Sequence, residues 1–159
     1  MKFEILDHPA ELRLRIYGKT IEELFTNAAE ALACVQKKNI TLLMRSPKEC
    51  YKNLKKELVK IQSIDLNALL VDFLSEILAR SQINKKIYKV SNFKILNSSH
   101  NNKLSAGQAS LEVEIIGCPV EYFDEDVKAI TYQDVDIKSK IKNQKSKLRI
   151  WQTDIVLDI

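Results

Sequence analysis

From Asp65 onward the apolar residues Leu66, Leu69, Leu70, Phe73, Leu74, Ile77 and Leu78 recur at intervals of three and four, while Asn67, Asp72, Ser75, Glu76 and Arg80 fall off that stripe. The spacing predicts an amphipathic helix with one face on a core, and Asp65 is a residue type that caps a free helix N-terminus. A second helix is expected after the Gly18-Lys19 turn. Thr20-Ile21-Glu22-Glu23 is a capping box, and Ile21, Leu24, Phe25, Ala28, Leu32 and Val35 trace the apolar stripe that follows it. Lys37-Lys38 suits the negative end of that helix.

Most of the remaining chain has the period of strands. Phe3 and Ile5 alternate with polar neighbours, and Leu12, Leu14 and Ile16 alternate with Glu11, Arg13, Arg15 and Tyr17. Strands are also expected over 87–96, 109–117, 127–137 and 147–159, with weaker strand patterns at 40–44 and 58–61 around a lysine-rich loop bearing Pro47. Two helices among about six strands joined by hairpin-length links predict an α+β fold. The helices should pack on a mainly antiparallel sheet, and 159 residues suit one domain over 1–159.

Composition excludes several chemistries. Only Gly18, Gly107 and Gly117 occur, too far apart for a P-loop or a dinucleotide-binding turn, and no GxSxG elbow is present. His8 and His100 are the only histidines, which leaves carboxylates, lysines or a metal for any catalysis. Cys34, Cys50 and Cys118 are widely spaced and odd in number, so buried thiols are expected rather than a disulfide frame or a zinc site. The start Met1-Lys2-Phe3-Glu4-Ile5-Leu6-Asp7 lacks the pattern of a secretory signal, and no apolar run approaches a membrane span. A cytoplasmic location is expected.

Three local features invite a functional reading beside a plainer one. The net charge of +4 is concentrated at Lys138, Lys140, Lys142, Lys145, Lys147 and Arg149, a cluster able to follow a phosphate backbone. No aromatic residue interleaves these lysines, which favours a solvated loop between the last two strands. Asp72 and Glu76 lie one helical turn apart, yet their place opposite the apolar stripe favours a solvated face with Glu76 paired to Arg80. In Leu6-Asp7-His8-Pro9-Ala10-Glu11, His8 reads as a turn residue before it reads as a ligand. The sequence closes on a strand, Trp151 to Ile159, without a polar tail, so its end is expected to be tied down.

Taken together, several segments resemble the archease family. They are Leu6-Asp7-His8-Pro9-Ala10-Glu11, Tyr17 to Phe25 with Asn27-Ala28-Ala29, Asp65 to Glu76, Val127-Lys128-Ala129-Ile130-Thr131-Tyr132, and Trp151 with Asp158-Ile159. They keep the family's order over nearly the whole chain. Pro9 stands where the family has threonine, Glu11 where it has aspartate and Gln133 where histidine is common, and the stretch 39–60 is longer. The resemblance implies a protein that is not itself an enzyme. It would activate a GTP-dependent RtcB-type RNA ligase in tRNA splicing and RNA repair by promoting its guanylylation and turnover, with at most weak or indirect contact to RNA and none to membranes. It further implies a metal site at Glu11, Asp158 and Ile159, and Lys128 as the activating basic residue.

If the strand opening at Glu11 pairs antiparallel with the final strand, Glu11, Asp158 and the Ile159 α-carboxylate converge, with the Ile159 side chain anchored in the core. Such an all-oxygen set selects a hard divalent cation, calcium ahead of magnesium. Two other readings remain open from the residues: a basic RNA-binding or chaperone-like module, and a metal-dependent hydrolase built on Glu11 and Asp158.

Overall fold

The computed structural model describes residues 1–7, 10–40, 55–96 and 109–159. His8, Pro9, Pro47, Cys50, His100, Gly107 and the expected strand beyond Ile40 lie outside the described residues. The fold is α+β, with two antiparallel sheets where the sequence suggests one. In the first sheet, β1 (Phe3–Asp7), β2 (Leu12–Gly18), β8 (Leu148–Asp158) and β6 (Ala129–Thr131) are neighbours in that order, and β7 (Lys138–Asn143) pairs with the other end of β8. The second sheet has the order β3 (Lys56–Ser63), β5 (Ala109–Pro119), β4 (Lys86–Leu96).

Both expected helices form. In α1 (Ile21–Gln36), the Thr20 hydroxyl accepts from the Glu23 amide at 3.0 Å. In α2 (Leu66–Asn84), the Asp65 carboxylate accepts from the Ala68 amide at 2.8 Å, and Lys85 closes the helix in the left-handed conformation. Each cap satisfies an amide that the first helical turn leaves without a partner.

The stripes read from the sequence face one apolar cluster. Leu24, Phe25, Leu32, Leu69, Phe73 and Ile77 are buried there with Leu14, Ile16, Ile155 and Leu157 of the first sheet and Val59, Leu111, Val113 and Ile115 of the second. Phe25, Phe73 and Phe93 meet at the centre with ring centroids 5.5 to 5.9 Å apart, joining α1, α2 and β4. Among the described residues no helix is long and apolar enough to cross a membrane.

Three expectations need correction. Of the basic cluster expected as a loop before the last strand, Lys138, Lys140 and Lys142 lie on a strand, β7, whose backbone pairs with β8, Lys138 opposite Gln152 and Lys140 opposite Ile150, while Lys145 and Lys147 lie in the turn and Arg149 on β8. Only Ala129–Thr131 of the stretch 127–137 is strand. Asp134 has a positive φ of 62°, and beyond it the Asp136 and Ile137 amides donate to the Thr153 hydroxyl and the Asn67 side chain rather than to a ladder. Cys118 is buried but disulfide-bonded, not a thiol. Cys34 is free, and burial pushes its thiol up to about 11.

Candidate functional site

The β2–β8 ladder begins with Leu12 opposite Leu157. Glu11 precedes the first of these residues and Asp158 follows the second, so the antiparallel pairing brings both to one end of the sheet, as expected. On the other side of β8, Ala129 lies opposite Asp158, and the Lys128 amide donates to the Asp158 carbonyl at 2.7 Å. Glu11, Lys128, Asp158 and Ile159 therefore share one edge of the molecule. The Ile159 side chain is not anchored in the core, being 38% exposed; the main-chain bond from Lys128 secures this end instead.

Lys128 is exposed on a fixed backbone. Val127 before it is buried, Ile130 after it is buried, and the Gln82 side-chain amide of α2 donates to the Val127 carbonyl at 2.7 Å. Among the described residues its ammonium has no ion-pair partner, so the charge is available to an incoming group.

Asp72 has a role its solvated reading misses. It accepts hydrogen bonds from the Ser63 hydroxyl at 2.6 Å and the Tyr132 hydroxyl at 2.5 Å. The bond from Tyr132 favours the protonated phenol and raises its pKa. This contact ties the segment after β6 to α2, and with Gln82 it gives Lys128 two supports on one helix. Nothing in the linear sequence pairs Asp72 with Tyr132; the only signal is their presence in two of the segments that resemble the archeases. Glu76 pairs with Arg80 at 2.9 Å as expected, and Glu57 joins that pair at 3.1 Å.

The donor set at this edge is chemically selective. Glu11, Asp158 and a carboxylate at Ile159 offer oxygen only, which suits a hard cation. Among the described residues no three His, Cys, Asp or Glu side chains form a metal-holding group.

Residues 3–159 match the model of the archease protein family (MTH1598/TM1083). The chain is 28% identical to protein archease of Methanosarcina barkeri over 99% of its own length and 96% of that protein's. It is 31% identical to protein archease of Thermococcus kodakarensis over 86% and 88% of the two chains. Among solved structures, protein 1598 of Methanobacterium thermoautotrophicum aligns with a TM-score of 0.70 at 22% identity, covering 99% of this chain and 98% of that one. An archease of Thermotoga maritima described as a possible chaperone aligns with a TM-score of 0.51 at 15% identity, covering 97% and 94%. At those identities the likeness to the two structures is one of fold. With the family model spanning nearly its whole length, the chain belongs to the archease family.

Proposed function

We propose that this protein is a non-catalytic activator of a GTP-dependent RtcB-type RNA ligase, acting in the cytoplasm in tRNA splicing and RNA repair by promoting guanylylation of the ligase and its turnover. Family membership over residues 3–159 supports the reading, and the observation that carries it to a residue is Lys128, exposed and without an ion-pair partner among the described residues, on its clamped backbone. Lys128 presents a compact charge to a phosphate or to an acidic pocket of the ligase. Because Gln82 and Asp158 already fix its main chain, docking orders only the side chain. Multiple-turnover ligation by the purified cognate ligase, with and without this protein, is the test. Lys128→Ala should abolish stimulation while leaving the circular dichroism spectrum unchanged; a folded mutant with full stimulation removes Lys128 from the site.

Glu11, Asp158 and the Ile159 carboxylate would hold the divalent cation of this reading, calcium before magnesium. When bound, that cation supplies charge neutralisation where three carboxylates meet. The chain's own contribution is placement: the β2–β8 register sets Glu11 and Asp158 at one end, and the Lys128 amide holds the Asp158 carbonyl. Residues fused after Ile159, and separately Glu11→Ala, should each weaken calcium binding by calorimetry, whereas an N-terminal tag should do so much less. Equal affinity in all forms would show that no such site exists.

The chaperone-like alternative draws on the description of the Thermotoga maritima relative. It would be favoured if the protein suppressed aggregation of unrelated enzymes and Lys128→Ala had no effect.

A further inference from the structure

We propose that the solvent face of the β7–β8 hairpin, together with Tyr17 of β2, is a binding groove for single-stranded RNA. This goes beyond the ligase reading and concerns a different place: Ile150 lies eight residues from Asp158, about 27 Å along the strand.

The pairing of three strands builds the groove. Tyr17 lies opposite Gln152, and Gln152 lies opposite Lys138, so the three form one row across β2, β8 and β7. In the adjacent row Lys140 lies opposite Ile150. Met1, Tyr17, Lys140, Ile141, Lys142 and Ile150, with Gln152, line an open and mainly apolar groove of about 340 Å³, near the lower end of small-ligand pockets. An aromatic residue missing from the lysine cluster in sequence is thus supplied from another strand. The Tyr17 ring is held in place, since its hydroxyl donates to Glu4 at 2.7 Å and its carbonyl accepts from Asn27 at 2.8 Å.

Charge complementarity identifies the occupant. Lys138 pairs with Asp136 at 3.0 Å, but among the described residues Lys140, Lys142, Lys145, Lys147 and Arg149 have no ion-pair partner. Five uncompensated cations on one hairpin call for a polyanion. The groove beside them has an apolar floor and an aromatic wall, which call for flat apolar groups carried at intervals on that polyanion. Single-stranded nucleic acid offers both, with bases against Tyr17 and Ile150 and phosphates along the lysines. An acidic polypeptide matches the charge but does not carry a flat ring on every anionic unit, as a nucleic acid does. The Gln152 amide, with no hydrogen bond to another described residue, can both donate to and accept from a ribose 2′-hydroxyl, which favours RNA over DNA. The carboxylates of Asp134, Asp136 and Asp154 line a neighbouring depression, so the phosphate path runs toward the hairpin tip, away from them.

The test is fluorescence anisotropy of labelled oligouridylate with the whole protein and no ligase, across a salt series. Binding should weaken steeply with salt, and Lys140→Gln with Lys142→Gln should reduce the slope of log K against log salt by about 1.4. Tyr17→Leu should weaken binding by about fivefold to about 140-fold, the range for losing one base stack, while Tyr17→Phe should retain it. Lys128→Ala should leave RNA binding unchanged, so a failure of ligase stimulation and a failure of this groove are separately visible. Absence of binding, equal binding by folded Tyr17→Leu, equal affinity for oligodeoxyuridylate, or displacement of the RNA by polyglutamate at matched charge would each overturn the proposal.

Discussion

Asp154 stands between two arginines on the outer face of the first sheet. Its carboxylate accepts from Arg15 at 2.9 and 3.2 Å and approaches Arg13 at 3.6 Å, while Arg13 also reaches Asp134 at 2.8 Å. The hydrogen bonds from Arg15 hold the Asp154 carboxyl below the usual aspartate range, and the Arg15 guanidinium is raised in turn. A carboxyl whose folded pKa is depressed adds stability that is fully present above its unfolded value, near pH 4, and is lost as the pH falls through the lower folded value. Asp154→Asn should therefore cost about 1 kcal/mol at pH 7, a figure suited to a partly solvated charged bond. The difference from the parent should shrink as the pH drops below 4. Urea denaturation at a series of pH values measures it, and a mutant penalty that grows in acid would contradict the assignment. The residues of this network are visible in the sequence as alternating arginines and aspartates. Their pairing is not, because Arg15 and Asp154 meet only through the β2–β8 register.

At the level of elements, what the sequence revealed depended on whether an element buries a patterned face. α1 and α2 each turn a continuous stripe to the core, and their caps lie where the capping box and Asp65 predict. β7 leaves Lys138, Lys140 and Lys142 exposed and joins the sheet through its backbone pairing with β8, so its side chains carried no strand signal. β3 is a similar case. It lies at the edge of the second sheet with Leu58 exposed, and its lysines and glutamate obscured a strand that runs from Lys56 to Ser63. The candidate site follows the same division: the end-to-end meeting of Glu11 and Asp158 was legible from two strand patterns, whereas the Asp72–Tyr132 and Gln82–Val127 supports depend on the packing of α2 against the segment around β6.

The junction between β2 and α1 shows how tightly one element can constrain the next. A Cβ at Gly18 would lie 2.4 Å from the Leu24 nitrogen and 2.9 Å from the Thr20 carbonyl oxygen, both main-chain atoms that no side-chain rotation can move aside. Gly18→Ala should destabilise the protein by about 2 kcal/mol or more, at the upper part of the overpacking range. A denaturation midpoint unchanged from the parent would show that the junction is looser than its geometry.

For the molecule as a whole, the question is whether two sheets make one folding unit. The three phenylalanines lie where both helices and β4 meet, and the cluster around them takes side chains from each sheet without a break. Neither sheet has a separate large core: the only other apolar cluster among the described residues is the small group of Ala33, Ile40 and Ile87. Removing the ring in Phe73→Ala should cost about 3–5 kcal/mol, a large share of the roughly 5–15 kcal/mol that holds a domain folded. Since that ring touches Phe25 of α1 and Phe93 of the second sheet, the loss should fall on both sheets at once. Trp151, the single tryptophan, reports on the first sheet, and far-ultraviolet circular dichroism reports on all the secondary structure. In parent and mutant alike the two signals should change at the same denaturant concentration, with the mutant transition displaced to lower concentration. If the tryptophan transition stayed in place while the dichroism transition split, the sheets would be separate units and the single domain expected over residues 1–159 would have to be divided.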